Sequence, residues 1–140
     1  MNPFSIIGYM KTLLKLFIPL MAITLTSCGG TPTVSESGTS LFANRKMTST
    51  SISYSCEKDN RNATYTFQVK KNHADEIAFN ATVEYGFFTY TLSDSSGVTL
   101  KADIVVDDVN YTIPLNGSGK YKLNIITDDF KGTYQFKWSK

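Results

Sequence analysis

Residues 76–86 read EIAFNATVEYG, and here Ile77, Phe79, Ala81, Val83 and Tyr85 alternate strictly with Glu76, Ala78, Asn80, Thr82 and Glu84. A period of two places the two sets on opposite faces of an extended strand, with the apolar set turned to a core. Gly86 closes the run. The same period continues upstream, where Ile52, Tyr54 and Cys56 alternate with Ser51, Ser53 and Ser55. KDNRN, residues 58–62, reads as a turn, after which Ala63, Tyr65, Phe67 and Val69 alternate with polar neighbours. These two runs are expected to form a hairpin with a five-residue loop.

Downstream, Phe88, Tyr90 and Leu92 form a fourth run, closed by SDSSG at 93–97. Val98, Leu100, Ala102, Ile104 and Val106 form a fifth, with one face predicted inward. After DDVN come Tyr111, Ile113 and Leu115, where Pro114 lacks a ladder donor and marks an edge or a strand end. NGSG leads to Tyr121, Leu123 and Ile125, and TDDFKG at 127–132 leads to Tyr134, Phe136 and Trp138. No segment carries a helical stripe, and no connection is long enough for a crossover helix. The pattern predicts an all-β antiparallel sandwich of about seven to eight strands.

The chain has 140 residues, which suits one domain. Its formal charge of +2 comes from Lys11 and Lys15; the remainder carries twelve basic and twelve acidic groups. A formally neutral body argues against nucleic acid, which requires a clustered basic face, so no nucleic-acid partner is expected.

From Met10 the chain reads MKTLLKLFIPLMAITLTSC, two lysines followed by the apolar run Leu16 to Leu25 and then small residues. This is the layout of a secretory signal, and an apolar run of ten residues is about half of what a bilayer span needs. Leu25, Thr26, Ser27 and Cys28 resemble the lipobox of bacterial lipoproteins. In that family the thiol takes a diacylglycerol, the signal is cut just before the cysteine, and the new amino group is acylated with palmitate-type chains. The resemblance implies a signal peptide over 1–27, lipid attachment at Cys28 and a membrane held through that anchor. Residues 1–9 carry no charge ahead of a complete signal, so translation is expected to start at Met10, with a long n-region from Met1 as the alternative. Residues 28–47, in which GGTPTVSESGTS follows Cys28, read as a flexible tether to a sandwich domain over 48–140. A coil of that length would hold the domain roughly 25 Å from the lipid.

LNGSGKYKLNI, residues 115–125, places Tyr121 two residues after a glycine at the start of a late strand. This looks like the tyrosine corner of immunoglobulin-like sandwiches, whose phenol bonds a backbone group a few residues upstream. With GTYQFKW at 132–138 as a final strand, the chain resembles small Bacteroidetes-type lipoproteins with one immunoglobulin-like domain of unknown function. The paired cysteines and central tryptophan of antibody domains are absent. In that group an acidic run after the lipidated cysteine goes with surface display; only Glu36 appears before residue 57, which implies the periplasmic face of the outer membrane.

Catalytic chemistry has little to stand on. His73 is the single histidine, in the turn KNHAD, and no nucleophile-elbow pattern accompanies it. A small hydrolase built on a Ser-His-Asp set is an alternative, since such sets assemble from distant positions. Cys56 shares a face with Ile52 and Tyr54 and is expected to be a buried small hydrophobe. Asp107, Asp108, Asp128 and Asp129 are candidate calcium ligands in two loops, although paired aspartates are common in turns for their backbone bonding alone. Phe87 and Phe88 must point to opposite faces, so one ring lies outside the core, where it could stack on a sugar, seat a partner protein or cover a sheet edge. The four N-X-S/T triplets at Asn62, Asn80, Asn110 and Asn116 read as strand and turn composition. The reading is of a non-catalytic envelope module without a cofactor. It binds an envelope protein or supports one; the alternative is a carbohydrate- or calcium-binding accessory module.

Overall fold

The computed structural model describes residues 30–139. The lipobox, Cys28 and the two candidate start sites lie outside them. The described chain forms seven strands: β1 (Thr33–Leu41), β2 (Asn44–Thr48), β3 (Ser51–Val69), β4 (Glu76–Asp94), β5 (Thr99–Val105), β6 (Val109–Pro114) and β7 (Gly119–Lys137). All pairings are antiparallel, in the order β1-β3-β7-β4-β5, with β2 also on β3 and β6 also on β4. The expected all-β antiparallel sandwich stands, with seven strands.

Its layers are one sheet folded across its middle. β3, β7 and β4 are each 19 residues long and run through both layers. β1 and β2 lie end to end along β3, opposite residues 58–66 and 51–55, and β5 and β6 lie end to end along β4. The fold line falls where register shifts interrupt the ladders, between Cys56 and Asn62 in β3 and between Val83 and Phe87 in β4.

At this crease the inward face changes parity. In β3 the buried set passes from Ile52, Tyr54 and Cys56 to Ala63, Tyr65, Phe67 and Val69; in β4 it passes from Ile77, Phe79 and Ala81 to Phe88, Tyr90 and Leu92. A bulge adds a residue to one strand and bends it, so the same strand can serve two facing layers. Gly86 and Gly132 permit the bend. A Cβ on Gly132, at φ 149°, would lie 2.0 Å from the Thr82 carbonyl oxygen, and one on Gly86, at φ 68°, would lie 2.3 Å from that of Asp129.

Aromatic side chains fill the space between the layers. Phe67 stacks on Trp138 with centroids 4.2 Å apart, Phe79 stacks on Phe136 at 4.4 Å, and Tyr90 meets Phe136 edge-on at 5.4 Å. The open end opposite the crease is closed by Trp138, whose amide donates to Thr50 O at 2.9 Å and whose indole donates to Ser49 O at 3.2 Å.

Three expectations change. KDNRN, the Gly86 stop and TDDFKG are not hairpin turns but bends inside single strands, because the polar residues there satisfy one another at the crease. Within the expected tether, residues 33–41 and 44–47 are strand. β1 is almost wholly exposed and is held by main-chain bonds to β3, an interaction its Ser- and Thr-rich composition does not advertise. In β5 the expected inward set is reversed over its second half. Leu92 pairs with Lys101 while Ser93 pairs with Thr99, so Leu100 is bulged. Beyond it Val105 is buried, and Ile104 and Val106 face solvent.

Candidate functional site

The crease holds a charged cluster. Asp59 is fully buried and Arg61 nearly so. Arg61 Nε donates to Asp59 Oδ2 at 3.0 Å, one terminal nitrogen donates to Glu36 Oε2 at 2.5 Å, and the other donates to the Tyr134 phenol at 3.0 Å. Its guanidinium carbon lies 3.8 Å from the Tyr54 ring centroid, a cation–π contact. Asp59 also accepts from Tyr54 at 3.1 Å and from Thr127 at 3.0 Å. Burial works against the Arg61 charge, but the surrounding phenols of Tyr134 and Tyr65 and the Asp59 carboxylate outweigh it and raise its pKa. Burial likewise holds the Tyr134 phenol well above its ordinary range. From the edge, Arg45 of β2 pairs with Glu36 of β1.

This cluster has no free acid, base or nucleophile. Its acids and phenols are engaged by their neighbours, with the buried Arg45 Nε left without a partner, so the cluster holds the bend together and ties the first strand to it.

Two outward surfaces have ligand-binding character. On the layer containing β2 and β6, a groove of about 340 Å³ is lined by side chains that include Asn44, Lys46, Ser53, Ser55, Asn80 and Gln135. Gln135 donates to Ser53 at 2.9 Å and receives Asn80 at 3.4 Å, which gives a row of amides and hydroxyls across three strands. On the other layer, Ile104, Thr89 and Ile126 stand in one row across β5, β4 and β7. Ile104 is 63% exposed, Val106 57%, Ile126 46% and Phe87 36%; Tyr85, at the β4 bulge, is 66% exposed. Phe88 is buried, so Phe87 is the ring left outside the core.

The other residues singled out in the sequence are scattered. Tyr121 donates to Gly117 O at 2.6 Å, the bond a tyrosine corner makes. Cys56 is a buried free thiol that donates to Phe130 O at 3.4 Å; burial, and next the charge of Asp59, push its pKa up to about 11. His73 Nδ1 accepts the Lys70 amide at 3.1 Å inside its own loop. Asp108 caps the Val83 amide at 2.8 Å. Asp129 receives the Asn60 side-chain amide at 2.9 Å and the Lys58 ammonium at 3.2 Å, which hold its carboxyl below the usual range. Among the described residues no group of three or more His, Cys, Asp or Glu side chains is placed to hold a metal ion.

Sequence reasoning missed the Asp59–Arg61 cluster, read as a turn, and the apolar surface patch. The signal for the patch was the run Ile104-Val105-Val106, whose alternation can be read in either phase.

No family model matches the chain, and no curated protein matches it. Among solved structures it is similar to a xylanase, Xylanase10C from Cellvibrio japonicus in complex with xylopentaose, at 11% identity over 80% of this chain and 26% of that one, TM-score 0.37. The enzymatically active domain of bacteriophage CBA120 tailspike protein 4 is 16% identical over 76% of this chain and 18% of its own, TM-score 0.36. A family 29 carbohydrate binding module is 11% identical over 78% of this chain and 86% of its own, TM-score 0.35. The chain thus spans about a fifth to a quarter of the first two. Likeness at this level says nothing of what this chain binds.

Proposed function

We propose that this chain is a lipid-anchored, non-catalytic binding module of a bacterial cell envelope, moored through Cys28, and that another envelope protein seats on the patch of Tyr85, Phe87, Ile104, Val106 and Ile126. The observation that carries this reading is the bulge at Leu100. It turns Ile104 and Val106 outward beside Phe87 on an edge strand, where burial in the chain's own core was the alternative. Contiguous exposed apolar surface of this kind marks interaction sites, and the unpaired side of β5 offers main-chain groups to an added strand. The signal and lipobox support placement at the envelope. The absence of an acidic run after Cys28 supports the periplasmic side of the outer membrane.

A photo-crosslinking residue at Ile104 in intact cells should give a discrete adduct with one protein, whereas the same residue at Thr133, on the opposite layer, should not. No adduct at Ile104, or the same adducts at both positions, would remove the reading. A second reading is favoured by the amide and hydroxyl groove, whose donors and acceptors beside Lys46 suit a glycan. A glycan array on which Gln135→Ala loses the binding seen with the parent would support it.

A further inference from the structure

The strands found within the expected tether change where the body sits. Gly30 is half-buried beside Gln68, where an added Cβ would come within 4.0 Å of it, and Pro32 is buried. Thr33 stands in register with Thr66, and Thr66 with Lys122, while Gln68 stands opposite Lys120. Only Gly29 separates Cys28 from this docked chain. Two residues reach about 7 Å, less than the screening length of ~8 Å at physiological salt. A 20-residue coil would have placed the same end well beyond it.

The charges at this end are unbalanced. Lys70, Lys71, Lys120 and Lys122 are exposed, and none takes part in any ion pair among the described residues. The acid closest to them in register, Asp94, turns its carboxylate into its own loop, where it accepts the amides of Ser96 and Val98 at 2.9 and 3.0 Å. Asp75 ends the loop that follows Lys71, and Glu76 begins β4 in the opposite layer. The crease, at the far end, carries Glu57, Glu84, Asp107, Asp108, Asp128 and Asp129, and its lysines Lys58 and Lys131 are both paired with acids. The molecule is therefore electrically polarised along its length, with its unpaired positive end at the point where the chain enters.

We propose that Lys70, Lys71, Lys120 and Lys122 form a docking surface for anionic phospholipid headgroups of the membrane that carries the anchor. The sandwich then lies with its open end on the bilayer and its crease, with the apolar patch beside it, directed away. The proposal rests on the reading of Cys28 as acylated, because that places these lysines within reach of the headgroups. A lysine near an anionic surface contributes about a fivefold gain in binding.

The test is amine labelling of the native protein in vesicles, mapped by peptide mass. In phosphatidylcholine with about a third phosphatidylglycerol at 0.1 M salt, the four lysines should label about tenfold more slowly than in phosphatidylcholine alone, and 1 M salt should restore the rate. Lys58, Lys101 and Lys131 should label equally in every condition. Equal rates for the four lysines on both vesicles, or protection on both, would overturn the proposal. The anchor is read separately, by flotation with neutral vesicles and by the mass of the Cys28 peptide. If Cys28 proves unmodified, added anionic vesicles at low salt still test the surface: selective protection supports it, and its absence overturns it.

Discussion

Replacing Arg61 by methionine should destabilise the domain far more than an ordinary change in a polar stretch. The substitution keeps an unbranched side chain but removes bonds of 3.0 Å to Asp59, 2.5 Å to Glu36 and 3.0 Å to Tyr134, and the cation over Tyr54. Asp59, at 0% exposure, keeps only the hydroxyls of Tyr54 and Thr127. Breaking a buried ion pair from one side leaves an uncompensated charge and costs about 3–5 kcal/mol. With a urea dependence of about 2 kcal/mol/M for a domain of this size, the midpoint should fall by about 2 M. Urea unfolding followed by Trp138 fluorescence and circular dichroism measures it. Combining Arg61→Met with Asp59→Asn removes the orphaned charge, so the double variant should lose at least ~2 kcal/mol less than the sum of the singles. A single-variant loss below ~1 kcal/mol, or strict additivity, would refute the cluster's role at the bend.

Gly132→Ala should cost about 3 kcal/mol, since the added carbon would meet the Thr82 carbonyl at 2.0 Å and the backbone is already left-handed; a loss under ~1 kcal/mol in the same assay would mean that the crease is more adaptable than described. At pH 8 the Cys56 thiol should react about a hundredfold more slowly in the folded protein than in denaturant on charge alone, its pKa having risen from 9.0 to about 11. The sign follows: a thiol kept neutral by folding stabilises below pH 9, and that contribution is lost as pH rises from there through about 11, so unfolding free energy should decline over this interval and less so in Cys56→Ala. Tyr121→Phe should lose about 1 kcal/mol with the bond to Gly117, and unchanged stability would leave that corner without a structural role.

Strand content was legible because alternation at Ile77–Ala81, Tyr65–Val69 and Tyr121–Ile125 reports burial on one face of a sheet, whereas Tyr85, expected on the same inward face, lies at the bulge and is exposed. What was not legible is continuity. Period-two patterns on either side of Lys58–Asn62 are out of phase by one residue, and a phase jump filled with charged residues looks the same for a turn and for a bulge. Only the continued pairing of this stretch with β1 and β7, a tertiary fact, separates them. β1 was hidden for the opposite reason: an exposed edge strand held by its backbone needs no apolar period. Tyr121 was readable because its bond is local. The patch was not, because its outward phase is set by a one-residue register slip against β4.

The most direct test of the account is the mass of the amino terminus of the protein extracted from its native membrane. The mature chain should begin at Cys28 and carry a diacylglycerol on the thiol and a fatty acyl group on the amine. A chain with residues 25–27 still attached, or with Cys28 bearing a free thiol, would contradict it.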